Sequence, residues 1–353
     1  MSLITTNKFF QKLAEGNQKE AQNSATDYTR ITLRDEGILR RVLPPEELSY
    51  AELDDQLDTD MPVKIVEKEV SQPLSASIPF GTLPGNWWMR GEKYRVDFAR
   101  LATKNYQIDL AQALTYNKDI REVFKENAIL DMQTAEDIPF VSMLDAICTP
   151  VGVGGDVNAG VYSSTDSAST QRSALTGKVQ YYDFTRAQGN PLGSASGFTR
   201  ENIVESFKIM PKGYSVGANV TPIRNKPALV LMNYNTGLEF IKWGREEMGG
   251  DTAERLIKEG NTEFTWMGVR YVFTLKDDIV KDGIAYFLAK PEHVGKFYEL
   301  DKPTMFVDRR AFMLEYFCYS CIGCSIGNPY GVAKVKYFGG DTNAFSHTVW
   351  PGA

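Results

Sequence analysis

Between Gly283 and Phe338 the chain is a succession of apolar runs divided by turn residues, and this limits it to a fold with extended sheet near its C-terminal end. The runs are Ile284-Ala-Tyr-Phe-Leu-Ala289, Thr304-Met-Phe-Val307, Ala311 to Tyr319, Cys321 to Ile326 and Val332 to Phe338. Gly327-Asn-Pro-Tyr-Gly331 separates the last two. Such runs, rich in aromatic and β-branched residues and bounded by Gly, Pro and Asn, carry the strand signature. In the last of them Val332, Lys334, Lys336 and Phe338 fall on one face, and Ala333, Val335 and Tyr337 on the other. No constellation of catalytic side chains interrupts these strands, so this end of the chain is built to hold a shape.

The rest of the chain must supply what such strands pack against. At 353 residues there is room for one large domain or two ordinary ones, and 42% hydrophobic with 24% charged residues is a globular balance. No apolar run approaches the length of about 18 residues that a membrane-spanning helix needs. Met1 to Lys8 lacks the basic-then-apolar order of a signal peptide, so a chain made and kept in a cytoplasm is expected. Four cysteines, three of them crowded into seven residues, fit a reducing compartment. A net charge of −6 argues against a surface that binds nucleic acid as a whole, and leaves room only for local, weak contact with DNA.

Residues 1–70 have the character of an arm. Thr6 can cap a short helix containing Phe9, Phe10 and Leu13 that Gly16 ends. From Pro44 to Val63 there are seven acids and no Lys or Arg, including Glu46, Glu47, Asp54, Asp55 and Asp58. Apolar residues are sparse there, so this stretch is either a solvated linker or a segment that orders against other subunits. Residues 71–110 predict a two-stranded ribbon. Pro84-Gly85 marks its turn, Trp87 and Trp88 lie beside it, and Tyr94, Val96 and Phe98 alternate with Arg95 and Asp97. The second limb is basic through Arg90, Lys93, Arg95, Arg100 and Lys104. The two tryptophans are anchors for a partner surface or pack on their own domain.

Helical spacing begins at Asn117, an N-cap type, and runs through Ile120, Val123, Phe124, Ala128 and Ile129. A second helical pattern, Ile138 to Ile147, contains Pro139, which predicts a kink or a fresh start. Residues 150–197 are rich in Gly, Ser and Thr and predict a flexible loop, with a strand inside it over Lys178 to Phe184. Thr199 caps a helix that Pro211 stops; Ala228 to Met232 is a strand; Thr236 is expected to cap the next helix, which Gly249-Gly250 breaks; Asp251 opens another; and Val269 to Leu275 is a strand.

Catalytic and ligand chemistry finds little footing. Cys318-x-x-Cys321-x-x-Cys324 has the thiolate spacing of a metal site, but on a strand Cys321 faces away from the other two, and buried apolar thiols are expected instead. Neither of the two histidines, His293 and His347, has a nucleophile partner nearby in sequence. Val151-Gly-Val-Gly-Gly155 lacks the Lys-Ser/Thr of a phosphate-binding loop and the glycine spacing of a dinucleotide site. No enzyme, cofactor or metal is expected.

The order Asp282-Gly283 hairpin and strand, Pro291-Glu292, Gly295-Lys-Phe297, Phe306-Val307, then Ile322-Gly323 through Ile326-Gly-Asn-Pro-Tyr-Gly-Val-Ala-Lys334 closely resembles the C-terminal half of tailed-bacteriophage major capsid proteins. The resemblance spans roughly residues 198–338. It implies the α+β, HK97-like capsid fold: an N-terminal arm (1–70), an extended E-loop hairpin (71–110), and a peripheral domain with a long spine helix (about 117–147) and a flexible loop (150–197) within 111–200. It further implies an axial A-domain (201–290) and C-terminal strands of both domains (291–353). The function it implies is self-assembly into hexamers and pentamers that close an icosahedral shell around phage double-stranded DNA. Its implied partners are further copies of the chain, a separate scaffolding protein, a portal and a decoration protein, with weak non-specific DNA contact and no membrane. The implied location is the virion capsid, assembled in the host bacterial cytoplasm. The expected subunit-interface residues are Trp87 and Trp88, as anchors on a partner surface, and the basic limb Arg90, Lys93 and Arg95, whose charge is expected to lie near Glu46, Glu47, Asp54, Asp55 and Asp58 of a neighbour. Two alternatives stand: an encapsulin-like compartment shell, and a metal-binding enzyme using Cys318, Cys321 and Cys324.

Overall fold

The computed structural model describes residues 37–55, 60–67, 80–81, 93–109, 120–148, 181–184, 197–207, 210, 215–216, 219–220, 226–242, 263–310, 312–328 and 331–338. In chain order the elements are α1 (Ile38–Val42), β1 (Glu46–Glu47), β2 (Val63–Glu67), β3 (Lys93–Ala102), β4 (Tyr106–Asp109), α2 (Ile120–Cys148), β5 (Tyr181–Asp183), α3 (Arg200–Ser206), β6 (Ser215–Val216) and β7 (Asn219–Val220). Then come β8 (Leu229–Asn233), α4 (Tyr234–Leu238), β9 (Glu263–Trp266), β10 (Val269–Thr274), β11 (Ile284–Leu288), α5 (Pro291–Val294), β12 (Lys296–Arg310), β13 (Met313–Ser325) and β14 (Val332–Lys336).

The C-terminal runs are strands, and two of them are longer than their local patterns imply. Gly295-Lys-Phe297 and Thr304–Val307 join into the single fifteen-residue β12. The register shifts between Glu299, Asp301 and Thr304 absorb Pro303, which has no N–H to give to a ladder. The runs on either side of Ser320 likewise join into β13, because β12 pairs with it from Lys296↔Ser325 to Arg310↔Met313. This hairpin is the axis of the first sheet, ordered β1-β12-β13-β3-β2 with β4 also on β13. Thr103 bridges β3 and β4: its N donates to the Cys318 carbonyl at 2.8 Å, and its Oγ1 accepts from the Cys318 N at 2.9 Å.

The second sheet runs β5-β14-β11-β8-β10-β9. Its strands β8, β11 and β14 are buried along their whole length, the first two as nearly continuous apolar runs and β14 with two buried lysines, Lys334 and Lys336. Phe240 is the hub of an aromatic cluster on this sheet, with Phe264 at 5.0 Å, Tyr271 at 5.4 Å and Trp266 at 6.2 Å between ring centroids, all edge-on. The turn Asp282-Gly283 before β11 admits only glycine. Its φ is +79°, and a Cβ there would lie 2.0 Å from the Phe338 carbonyl oxygen.

The two helical patterns expected on either side of Pro139 form one helix, α2, of 29 residues and roughly 43 Å. Pro139 sits inside it, where it withholds one hydrogen bond. The helix is held by burial instead, since Met132, Gln133, Glu136, Asp137, Phe140, Val141 and Leu144 are all buried. It touches β14 of the second sheet and β13 and β3 of the first, so it spans the junction between them. The expected cap Asn117 lies outside the described residues.

Three local expectations are corrected. Thr199 does cap α3, its hydroxyl accepting from the Asn202 N, but the helix ends at Ser206, short of Pro211. Asn233 caps α4, accepting from the Asn235 N at 2.8 Å. Thr236 instead donates to Asp282 at 2.7 Å and accepts from the Gly283 N at 2.7 Å, so it holds the neighbouring turn. Finally, Pro44–Val63 is ordered in part within its own chain. β1 pairs in parallel with β12, and Leu48 and Leu53 pack on Val96, Phe98, Tyr298, Leu300 and Cys321. Few apolar residues suffice there because the sheet supplies the other side of the contact.

Candidate assembly surfaces and the charged seam

The ribbon expected over residues 71–110 has its base in β2 and β3, paired antiparallel from Val63↔Asp97 to Glu67↔Lys93. Val96 and Phe98 face the small core, and Lys93 and Arg95 face solvent. Lys93 Nζ lies 3.3 Å from Glu67, with side chains 62% and 77% exposed. Arg95 Nε lies 2.6 Å from Asp97. Trp87, Trp88, Arg90 and Asp58 fall outside the described residues.

Glu46, Glu47 and Asp54, three of the acids expected to face that ribbon, have partners inside their own chain. Glu46 pairs with Lys296. Glu47 lies 2.5 Å from Lys302 Nζ. Asp54 accepts from the Ile65 N at 2.8 Å and lies 3.4 Å from Lys64 Nζ. The backbone hydrogen bond from Ile65 is the main reason its carboxyl sits below the usual range. Asp55 is exposed. β1 and the turn after it are thus stitched to β12 and β2 by solvent-facing pairs, each of the kind that contributes about 0–1 kcal/mol.

The stronger electrostatics are buried, at the junction of the two sheets. Arg40 of α1 donates Nε and Nη2 to the Glu136 carboxylate at 2.7 and 2.8 Å, and Nη1 to Glu299 of β12 at 2.8 Å. Burial alone would lower its pKa, but the Glu136 and Glu299 carboxylates outweigh burial and hold it above the ordinary arginine value. Asp137 accepts from the Leu39 N at 2.9 Å and from Lys276 Nζ at 2.6 Å. One helical turn pair further along α2, Asp145 accepts from Lys334 Nζ of β14 at 2.7 Å and from the Tyr286 hydroxyl of β11 at 2.5 Å. Three acids of one helix therefore bind α1, the loop after β10 and two strands of the second sheet, and Arg40 carries the connection on to β12 of the first.

Sequence reasoning missed this seam. Two signals were present: Glu299 stands at a buried position inside Phe297-Tyr-Glu-Leu300, and Arg40 stands within Ile38-Leu-Arg-Arg-Val-Leu43. A charge inside an otherwise apolar segment needs a buried partner.

The cysteines separate as the strand alternation requires. Cys318 and Cys324 face the main core, and Cys321 faces the smaller one. Burial raises every thiol, Cys318 to about 12. Among the described residues no group of three His, Cys, Asp or Glu side chains is placed to hold a metal ion.

No family model and no curated protein matches the chain. Solved structures do. A capsid subunit of cyanophage Pam1 superposes with a TM-score of 0.53 over 86% of this chain and 92% of its own, at 11% identity. A capsid subunit of cyanophage P-SCSP1u superposes with a TM-score of 0.50 over 86% of this chain and 89% of its own, at 8% identity. The chain therefore has the α+β, HK97-like capsid fold.

Proposed function

We propose that this chain is the major capsid protein of a tailed bacteriophage, a structural subunit that self-assembles into hexamers and pentamers of an icosahedral shell around double-stranded DNA. The superposition on a phage capsid subunit along nearly the whole of both chains carries the proposal. A shell of many copies needs only modest contacts, because symmetry repeats each one. Its partners are further copies of itself, a separate scaffolding protein, a portal and a decoration protein. Its DNA contact is weak and non-specific, consistent with a net charge of −6. Its location is the virion capsid, after assembly in the host bacterial cytoplasm.

The division into arm (1–70), E-loop (71–110), peripheral domain (111–200), A-domain (201–290) and C-terminal strands (291–353) belongs to the same proposal. So do Trp87 and Trp88 as anchors on a partner surface, and the contact of Arg90, Lys93 and Arg95 with Glu46, Glu47, Asp54, Asp55 and Asp58 of a neighbour. Pairs as exposed as Lys93–Glu67 and Lys302–Glu47 exchange partners at little cost, which lets a docking subunit draw on them. Charge reversal at Arg90, Lys93 and Arg95 is expected to weaken assembly and flatten its salt dependence; unchanged assembly sinks this contact.

The encapsulin-like and metal-enzyme readings gain nothing from the structure: the first shares the fold without an observation in its favour, and the thiols of the second do not converge. Purified native particles are expected to contain nuclease-protected double-stranded DNA. Particles filled with protein cargo and free of DNA would replace the phage reading with a compartment shell.

A further inference from the structure

Along β12 and β13 one face of the first sheet carries Met305 and Cys318, both buried, with Cys318 in the main core. The other face begins at the smaller core, where Leu48 and Leu53 pack on Tyr298, Leu300 and Cys321. Alternation carries it from Cys321 to Tyr319, Phe317 and Glu315 of β13. Their register partners on β12 are Thr304, Phe306 and Asp308. Phe306, Phe317 and Tyr319 are half-buried. They form an aromatic strip, with ring centroids 4.9 Å apart for Phe306–Phe317 and 6.1 Å for Phe317–Tyr319. Tyr50, 60% exposed, stands at the near end with its hydroxyl donating to Asp301. At the far end the next rung sets Asp308 directly opposite Glu315. The Glu315 carboxylate accepts from the Asn105 and Gln107 side-chain amides, which carry no charge. Two carboxylates so placed repel each other, and the rung favours an arriving cation.

We propose that this strip receives Trp88 of a second copy of the chain, with Arg90 of that copy over the Asp308–Glu315 rung. In an extended segment Trp88 and Arg90 share a face about 7 Å apart, which is also the step from the Phe306–Phe317 rung to the Asp308–Glu315 rung. An indole stacks on aromatic rings, and a guanidinium serves two carboxylates. Reach excludes the chain's own Trp88. It lies five residues before Lys93 and extends at most about 18 Å from it. From Lys93 to Ala102, the residue beside Tyr319, β3 runs about 30 Å, and Phe317 lies a further rung away. This docking rests on the self-assembly proposed above and refines one contact in it: Arg90 meets the β12–β13 hairpin, and Lys93 and Arg95 remain for the acids of residues 46–58.

Disulfide trapping in assembled particles tests it. Trp88→Cys with Phe317→Cys in one full-length chain, mildly oxidised after assembly, is expected to give covalent oligomers on a non-reducing denaturing gel. Closed shells whose subunits stay uncrosslinked, or a bond within one chain, overturn the docking and leave the shell-forming role standing. A wild-type chain that forms no shell defeats that role and the docking with it. Should only the cysteine variant fail to assemble, charge exchange decides. Arg90→Glu is expected to lower shell yield by about tenfold or more. Adding Asp308→Arg is expected to restore it, and adding Glu47→Arg is not. Failure of Asp308→Arg to restore assembly, or equal rescue by Glu47→Arg, overturns the proposal.

Discussion

Replacing Arg40 by methionine keeps most of the side chain's length and deletes its charge. Three charge-assisted hydrogen bonds of 2.7–2.8 Å disappear. The Glu136 and Glu299 side chains, 0% and 8% exposed, are left facing each other with no counter-ion. Removing one partner of a buried ion cluster costs about 3–5 kcal/mol, because the remaining charge stays desolvated. Against the roughly 5–15 kcal/mol that holds a domain together, this is a large fraction. Removing all the charges is different in kind. The triple replacement Arg40→Met, Glu136→Leu, Glu299→Leu strands no ion and is expected to return to within about 1–2 kcal/mol of the wild type. Guanidinium unfolding of dissociated subunits, followed by tryptophan fluorescence and circular dichroism, reads both values if the m-values match. A single variant within about 1 kcal/mol of wild type, or a triple variant no more stable than the single, would refute the reasoning.

Gly283→Ala is expected to cost at least about 2 kcal/mol, since φ +79° is combined with a Cβ 2.0 Å from a backbone oxygen. Gly268→Ala, at φ +74° but in open space, should cost about 1 kcal/mol, and equal drops in Tm would contradict the steric explanation. The four buried thiols should react slowly with an aromatic disulfide reagent at about pH 8 and fully in denaturant, because burial raises each of them. Rapid reaction of the native protein would place them at the surface. Lys302→Ala, removing a pair with side chains 42% and 70% exposed, should change subunit stability by less than about 1 kcal/mol in a calorimetric scan.

In the second sheet β8, β10 and β11 were legible because each is a short, largely apolar run bounded by turn residues, whereas β9, Glu263–Trp266, was not read as a strand. The thiol geometry was legible too, since alternation alone separates Cys321 from Cys318 and Cys324. What stayed hidden depends on contacts distant in sequence. β14 lies between β5 and β11, a pairing no local pattern encodes. The bulges that carry β12 past Pro303 exist because β13 holds the ladder on both sides of them. Lys334 was visible on the same face as Val332, but its burial follows from Asp145, which lies 189 residues away. The acidic run was read as lacking a fold of its own, and Leu48 and Leu53 are too few to form one. They are half-buried because they pack against a cluster that includes Tyr298 and Leu300 of β12. Of the expected contact residues, the structure brings Glu46 and Glu47 to lysines of β12 within the same chain, which charge counting along the sequence had no means to find.

Negative-stain electron microscopy of purified native material tests the shell-forming role most directly. Closed polyhedral shells several times the width of a single subunit are the predicted result. A uniform population of small compact particles would contradict it.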